Sequence, residues 1–356
     1  MNILLISYGN YEFDGRLREL YKIACALGDV CFISRGDKKV CDSHCLLNVP
    51  YLEFVKKAVQ IGKKFPKIDV LFLDNRKSII PGLKLKKIYK SSRIILDCRE
   101  LYLSKYVKHL AGKIGCIFEK RGIKKADLVI CANQERADFM QEYYKLKNKP
   151  FVYENLRTLE YSSHENEILS KEKFEKYNVP NEIRLISTAG CDISRLTDSL
   201  VSCLPKIGFK CRLFLVGGGN DKDKKQIERI CESNNISNVE IMGMLNQNDL
   251  KTLIGYCHIG IVSYHQNDLN NKFCASGKIY EFLYEGLPVV TTTNPPLVNF
   301  CKKHKIGESD DCFVNAIEMV AANYSFYKEN VLKYCDGFSI NDNNSNLIHK
   351  IISSLK

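Results

Sequence analysis

Four residues between positions 276 and 281 have types and spacing suited to binding a phosphorylated ligand. Ser276 is a favourable helix N-cap, and Gly277, Lys278 and Glu281 fall in the first turns of the helix that it would begin. A helix N-terminus carries unpaired N–H groups and a partial positive charge, so it can hold a phosphate, to which Lys278 adds a full charge. Glu281, one turn later, is an acceptor suited to two ribose hydroxyls. The alternative is an ordinary surface helix of mixed charge.

The residues that follow predict how this helix is positioned. Gly286 is expected to end it, because glycine is common just after a helix. The next segment, Leu287 to Thr293, is rich in Val and Thr and is typical of a strand in a parallel sheet. The sequence therefore predicts a ligand-binding turn, a helix and a buried strand in that order.

This segment resembles the donor-binding helix of GT-B glycosyltransferases, in the retaining, family-4-like group that builds bacterial polysaccharides. Members commonly have a glutamate followed by Gly-Xaa-Pro-Val-Val, and here Glu281 is followed by GLPVV at positions 286–290. Many members carry another glutamate eight positions earlier, where this chain has Phe273. A subgroup has a lysine three residues before the remaining glutamate, as Lys278 stands here. The resemblance implies that Lys278 binds the diphosphate and Glu281 the ribose of a nucleotide-sugar.

Other segments of the second half resemble the same family in their order and spacing. Residues 213–220, LFLVGGGN, form a strand-like run and a glycine turn, and residues 239–244 lead into Gly243. Gly217 and Gly218 would let a ligand approach the backbone closely, because no Cβ intervenes. Lys222 stands where a dinucleotide-binding G-x-G-x-x-G needs its third glycine, so a Rossmann oxidoreductase fits poorly.

A basic residue for the diphosphate is expected after the first strand of the second half. Gly190 closes that strand region and Arg195 follows on a short loop. In the resembled family a basic residue here steadies the leaving diphosphate, and the planar fork of arginine pairs well with phosphate oxygens. A surface arginine is the alternative. Asp221 and Asp223, in an Asp-Lys-Asp run, are interpreted as helix-capping and solvated residues, and no metal or cofactor is expected.

Charged residues in the first half follow two predicted strands. Asp97, Arg99 and Glu100 come directly after an apolar run, where burial without partners would be costly, which favours a site. Asp97 and Glu100 are the predicted catalytic residues that orient the acceptor hydroxyl. An Asp–Arg pair that only fixes a loop is the alternative. The resemblance adds three residues between the first strand and its helix, with Gly15 on the donor side and Asp14 and Arg16, like Arg99, on the acceptor side. Asn155 and Arg157 are further candidates.

Strand-like and helical patterns alternate throughout the 356 residues, which predicts an α/β fold with two domains. The resemblance implies two Rossmann-like domains facing across a cleft (GT-B). We predict an N-terminal acceptor-side domain over 1–165, joined by a C-terminal helix over 340–356, and a donor-binding domain over 166–339. The polar segment from Glu160 to Asn181 is the predicted linker.

The net charge of +12 lies wholly in the first half, where residues 1–150 hold 30 Lys and Arg against 16 Asp and Glu. The segment from Tyr102 to Lys125 interleaves lysines with apolar residues, as an interfacial helix on an anionic membrane would. A solvated lysine-rich face is the main alternative, and nucleic acid is not an expected partner because no recognised binding module is present. The 16 scattered cysteines and a first strand without a basic leader pattern are typical of a cytoplasmic protein.

These observations together predict a glycosyltransferase, cytoplasmic and peripheral on the inner face of the membrane. It would move a sugar from a nucleotide diphosphate, with UDP as the expected nucleotide, to a lipid-linked or growing saccharide acceptor in surface polysaccharide biosynthesis. Retention of anomeric configuration is implied by the resemblance. A nucleotide-sugar 2-epimerase and a catalytically inactive sugar- or nucleotide-binding protein are the alternatives.

Overall fold

A computed structural model describes residues 1–355 of the chain, which divide into two compact units. The first unit contains Met1–Asn155 together with the C-terminal segment that begins at Ile340, and the second contains Leu156–Ser339. Each unit is built on one parallel sheet, with helices between most successive strands. The predicted α/β class is confirmed.

The first unit is a seven-stranded sheet in the order β3-β2-β1-β4-β5-β6-β7, with every pair parallel. Its central strands are continuously apolar because helices cover both faces of a parallel sheet. The strands are β1 (Asn2–Asn10), β2 (Asp29–Arg35), β3 (His44–Leu46), β4 (Val70–Asp74), β5 (Arg93–Cys98), β6 (Leu128–Cys131) and β7 (Phe151–Val152). The helices are α1 (Gly15–Leu27), α2 (Tyr51–Gly62), α3 (Ile79–Ile88), α4 (Leu110–Lys125) and α5 (Gln134–Tyr144).

The second unit is a six-stranded sheet in the order β10-β9-β8-β11-β12-β13, again parallel. Its strands are β8 (Ile183–Ser187), β9 (Cys211–Val216), β10 (Val239–Gly243), β11 (Ile259–Val262), β12 (Val289–Thr291) and β13 (Gly307–Ser309). Its helices are α6 (His164–Phe174), α7 (Thr197–Cys203), α8 (Asp221–Ser233), α9 (Gln247–Tyr256), α10 (Leu269–Lys272), α11 (Gly277–Tyr284), α12 (Pro295–His304), α13 (Phe313–Ala322) and α14 (Tyr324–Gly337).

The last helix, α15 (Ile340–Leu355), packs in the first unit. Leu347 and Ile351 are fully buried in the same cluster as residues of α1 and of the central strands. Asn343 and Asn344 bind the residues directly after β7: Asn343 Nδ2 donates to Glu154 O at 3.0 Å, and Tyr153 Oη donates to Asn344 Oδ1 at 2.6 Å. Helix α15 is therefore part of the first unit.

The structure differs from the sequence expectation in two segments. The predicted linker contains helix α6, which Ser163 caps by accepting from Asn166 N at 3.2 Å, and whose Phe174 is buried. In the predicted interfacial segment, only residues from Leu110 onward are helical. Among residues 1–355, no helix is both long and apolar enough to cross a membrane.

Candidate nucleotide-sugar site and acidic cluster

Helix α11 begins directly after Ser276, as the sequence predicts. Ser276 has extended backbone angles (φ −75°, ψ 114°) but makes no side-chain cap bond, and its buried Oγ has no hydrogen-bond partner within residues 1–355. An N-cap serine usually accepts a hydrogen bond from the first turn, whose N–H groups lack partners inside the helix. Here that hydroxyl and the start of the helix are both suited to an external acceptor.

Lys278 turns back from the first turn of α11 toward the end of β8, where its Nζ donates to the carbonyl oxygen of Thr188. The pKa of Lys278 is lowered to about 8, chiefly by burial; the Glu281 carboxylate opposes this shift, and nearby Arg195 and Arg157 contribute to it. Thr188 is itself buried, and its Oγ1 has no partner among the described residues. The predicted phosphate-binding lysine therefore lies in a concentration of positive charge.

Glu281 lies one turn further along α11 and is only 9% exposed. Burial raises the pKa of Glu281, while Arg157 and Lys278, in that order, favour the ionised carboxylate. The carboxylate is thus an acceptor held between two cations, which is the chemistry needed to bind a pair of hydroxyl groups.

Arg195 ends a short 3-10 turn after β8 and is fixed from three sides. Its Nη1 donates to Asn271 Oδ1 at 3.2 Å, and its guanidinium carbon lies 4.1 Å from the centre of the Tyr264 ring. Its own carbonyl accepts from Ser263 Oγ at 2.5 Å. The structure therefore brings Arg195 from β8 and Lys278 from α11 into one region, as predicted.

Glycine suits the carboxyl ends of these strands for different physical reasons. Gly190, Gly217 and Gly243 have φ of +63°, +128° and +64°, which favours glycine. A Cβ at Gly190 would lie 2.0 Å from the carbonyl oxygen of Gly218, so this glycine is required by packing of two turns. Gly218 has more room, since the nearest described atom to its Cβ position would be Met244 Sδ at 3.7 Å. Gly243 has nothing within 4 Å of its Cβ position, so Gly218 and Gly243 are the predicted donor-binding glycines that leave space for ligand approach.

Arg157 joins this group from the segment after β7. Its side chain lies against Gly277, where an added Cβ would be 2.5 Å from Nε. It is 120 positions away along the chain, so only the folded structure could bring it to α11.

A second group of charged residues lies at the carboxyl ends of β1, β4 and β5 in the first unit. The strand register aligns Ser7 with Asp74 and Asp74 with Asp97. Ser7 Oγ donates to Asp74 Oδ2 at 2.5 Å, and Arg99 pairs with Asp74 (Nε to Oδ1, 2.6 Å) and with Asp14. The pKa of Asp74 is raised to about 6, and burial is the main cause. Within that shift, Arg99 acts to lower the pKa and Asp97 acts to raise it. Sequence reasoning missed Asp74, although it closes a buried strand just as Asp97 does.

Asp97 is fully buried and both of its oxygens are occupied. Arg16 Nε and Nη2 each donate to one carboxylate oxygen at 2.7 Å, and Arg16 Nη1 donates to Tyr153 O at 2.9 Å. The Asp97–Arg16 pairing fixes the strand end, which favours the structural alternative that the sequence left open over a catalytic Asp97 and an acceptor-binding Arg16.

Glu100, the other predicted catalytic residue, has a different environment. It lines an open concavity of about 200 Å³, together with Tyr8, Asp14, Asp74 and Arg99. Asp14 also serves as N-cap of α1, accepting from Leu17 N at 3.0 Å, so Gly15 is the first helical residue. Of the two predicted carboxylates, Glu100 is the one that a bound molecule could reach.

The Asp-Lys-Asp run opens helix α8, as predicted. Asn220 is the N-cap and accepts from Asp223 N at 2.9 Å, while Asp223 Oδ2 accepts from Ile193 N at 3.4 Å. Within residues 1–355, no group of three or more His, Cys, Asp or Glu side chains is placed to hold a metal ion.

No protein-family model and no curated protein matches the chain by sequence. Solved structures match it over nearly its full length. Sucrose-phosphate synthase from Thermosynechococcus elongatus is 17% identical, with a TM-score of 0.72, over 99% of both chains. Anabaena HepE in complex with UDP-glucose is 14% identical, with a TM-score of 0.74, over 99% of this chain and 100% of HepE. WaaG, a glycosyltransferase involved in lipopolysaccharide biosynthesis, is 14% identical, with a TM-score of 0.69, over 98% of both.

The likeness covers both parallel sheets. These include the segments that carry the candidate site around α11 and the charged residues at the carboxyl ends of β1, β4 and β5. At this level of identity it establishes the architecture. The chain therefore has the GT-B fold, with two Rossmann-like domains, that these glycosyltransferases share.

Proposed function

We propose that this protein is a glycosyltransferase that takes a sugar from a nucleotide diphosphate donor, with UDP as the nucleotide. The observation that carries the proposal is the start of α11: the unpartnered Ser276 hydroxyl among the described residues, the half-buried Lys278, and Glu281 one turn later. Anabaena HepE was solved with UDP and glucose and with UDP-glucose, which supports this class of donor for the shared fold.

In this proposal the start of α11, Lys278 and Arg195 hold the diphosphate, and Glu281 accepts from the ribose hydroxyls. When the bond between the sugar C1 and the diphosphate oxygen breaks, its electron pair stays on the diphosphate. Fixed cations and N–H groups stabilise that growing charge without reorganising. The acceptor oxygen forms the new bond to C1, and its proton passes to the diphosphate oxygen released from C1. Glu100 is the proposed residue that orients the acceptor hydroxyl. Retention of configuration and a hexosyl group are proposed from the family resemblance.

The donor is best tested with a thermal-shift panel of UDP-, GDP-, ADP- and CDP-sugars, since a ligand that binds only the folded state raises its stability. We expect Glu281→Gln to weaken binding of the best donor about ten- to hundredfold, because the amide replaces an ionised acceptor of hydroxyl hydrogen bonds. Calorimetry measures the affinity. Equal affinities for the wild type and the variant would remove Glu281 from the site.

The products distinguish the proposal from its alternatives. Incubation with the best donor and saccharide acceptors should yield a glycosylated acceptor and free nucleoside diphosphate. If the sugar of the donor is instead epimerised at C2, the protein is a 2-epimerase. If the donor binds but is not converted with any acceptor tested, the protein is a binding protein.

We also propose that the reaction needs no metal ion, because Lys278, Arg195 and the start of α11 supply the positive charge. Turnover in excess EDTA should then stay within about twofold of the untreated rate, a change of less than about 0.5 kcal/mol in the barrier. If EDTA abolishes turnover and Mn²⁺ or Mg²⁺ restores it, Asp221 and Asp223 become the first residues to test as ligands.

The proposed acceptor is a lipid-linked or growing saccharide of surface polysaccharide, reached from an anionic membrane on the cytoplasmic side. Helix α4 supports this proposal: Leu110, Ile114 and Ile117 are exposed at helical spacing. Three exposed lysines flank this apolar row, namely Lys113, Lys120 and Lys124. Exposed apolar residues flanked by lysines suit the interface of an anionic bilayer.

Replacing five lysines by glutamine should release the protein from anionic liposomes in a sedimentation assay, since each contributes on the order of 1 kcal/mol near such a surface. The five are Lys105, Lys108, Lys113, Lys120 and Lys124. Binding should weaken with salt, because the screening length is about 10 Å at 0.1 M and shorter above it.

A control with the same charge change replaces Lys56, Lys57, Lys63, Lys64 and Lys67. Equal release by both variants would indicate net charge alone, and salt-insensitive binding would indicate apolar insertion. A wild type that ignores these liposomes would contradict the membrane proposal.

A further inference from the structure

Arg157 lies against Gly277, the first residue of helix α11. An ideal Cβ at Gly277 would lie 2.5 Å from Arg157 Nε and 2.7 Å from its Cδ. Real Cβ atoms essentially never approach other heavy atoms so closely, so any side chain at position 277 would displace the arginine. The glycine at the first helical position therefore makes room for Arg157.

The charges around Arg157 are not balanced. Arg157 and Arg195 both disfavour the protonated form of Lys278, which shows that three cations share this region. Glu281 and Asp192 are the carboxylates that favour protonated Lys278. A group of like charges in a partly buried place is costly unless a further anion is present.

Three buried polar atoms in the same region also lack hydrogen-bond partners among the described residues. Arg157 Nε, Ser276 Oγ and Thr188 Oγ1 are each buried, and none has a hydrogen-bond partner in the part of the chain that the structure describes. Ser276 and Thr188 are at least nine-tenths buried, at 5% and 9% exposure. Buried polar atoms are usually paired, so three unpaired ones beside a helix N-terminus indicate an absent polar ligand.

We propose that Arg157 is a direct ligand of the donor diphosphate, the third cation beside Lys278 and Arg195. The inference rests on the proposed function and adds a residue from outside the sheet of the second unit. An arginine fork binds two phosphate oxygens at once, which suits it to the phosphate next to the sugar, whose charge grows as the bond to C1 breaks and which is doubly charged in the released nucleoside diphosphate. The rival role is indirect: Arg157, as the first charge that stabilises ionised Glu281, would only position the ribose acceptor.

The two roles predict different ligand profiles for Arg157→Gln. Calorimetry with UDP, UMP and uridine should show a loss of about ten- to hundredfold for UDP, as expected when a charge-assisted hydrogen bond is removed. The loss for UMP and uridine should be below about threefold, because neither carries the second phosphate of UDP; this is less than about 0.7 kcal/mol. Arg157→Lys should recover part of the UDP affinity. Arg229→Gln, which removes an exposed arginine on α8, is the charge-matched control and should change none of the three.

Gly277→Ala provides a second variant that leaves Arg157 in the chain but displaces it. We expect the same selective loss for UDP, and little additional loss when Gly277→Ala is combined with Arg157→Gln, because groups in contact are not additive. Gly255→Ala in α9 is the control, since its Cβ would meet no described atom within 4 Å. Thermal unfolding of each variant without ligand checks that it is folded.

The outcomes separate this inference from the proposed function. Equal losses for UDP, UMP and uridine would overturn direct phosphate binding in favour of positioning Glu281. An unchanged UDP affinity in folded Arg157→Gln would overturn any role in the site, while Lys278 and Glu281 could still bind donor. A wild-type protein that binds none of UDP, GDP, ADP and CDP would instead contradict the proposed function.

Discussion

Asp97→Asn is expected to destabilise the first unit by about 3–5 kcal/mol, the cost of removing one partner from a buried ion pair. Arg16 would keep its buried charge, but the amide of asparagine offers it one acceptor oxygen and no negative charge where the carboxylate accepted two hydrogen bonds of 2.7 Å. Its other partner is Tyr153, through the carbonyl at 2.9 Å and the ring, whose centre lies 4.7 Å from the guanidinium carbon. Neither contact replaces a negative charge.

Hydrogen exchange read out by mass spectrometry suits this test, because the chain has no tryptophan and peptides report on each of its two compact units by itself. Protection should fall in peptides of the first unit, while nucleotide binding by the second unit is retained. Glu53→Gln is the control: its pair with Lys57 at 2.8 Å is exposed, so the loss should be below about 0.5 kcal/mol. Replacing the pair by Arg16→Met with Asp97→Leu should recover much of the stability. Full stability of Asp97→Asn with lost turnover would instead restore Asp97 as a catalytic residue.

The fold was predictable because each element has a local cause. Residues 3–6, 70–73 and 94–96 are continuous apolar runs, and such runs between helical patterns indicate central strands of parallel sheets. Short edge strands such as β3, β7 and β13 have two or three residues each, too few for a periodic pattern, and were missed. The polar segment predicted as a linker contains helix α6, because Ser163 caps the helix and the side chain of Phe174 is buried. The composition of the segment indicates neither feature.

From the residues alone, the candidate site was predictable only where its parts are close in sequence, and Arg195 was added by the family resemblance. Ser276, Lys278 and Glu281 share one helix start, so their spacing is visible in the chain. Partners that come from far away are not visible: Arg16 reaches Asp97 across 81 positions, and this pairing favours a structural role for a residue that was expected to be catalytic. Burial cost alone predicts that such a charge needs a partner; it does not say whether the partner is a ligand or another side chain.

Lys278→Met is expected to lower kcat with the best donor by about 10²–10³, the range found when one preorganised donor to a developing negative charge is removed. Lys278→Arg keeps the charge and should lose less. The comparison is informative because burial lowers the pKa of Lys278 to about 8, whereas an arginine stays charged. The two proteins should therefore respond differently to pH.

The sign of that response follows from proton linkage. A diphosphate favours the protonated lysine. Below pH 8 the lysine of the free protein already carries this proton, and above pH 8 a proton must be taken up together with the ligand. UDP affinity of the wild type should thus fall by up to about tenfold per pH unit between pH 8 and 9.5, by the loss of one bound proton. Lys278→Arg should show a flat profile over the same interval, and the ratio of the two affinities cancels any titration of UDP itself. Calorimetry in buffers of different ionisation enthalpy at pH 8.5 should detect proton uptake in the wild type alone. Parallel profiles for both proteins would mean that Lys278 does not contact the diphosphate.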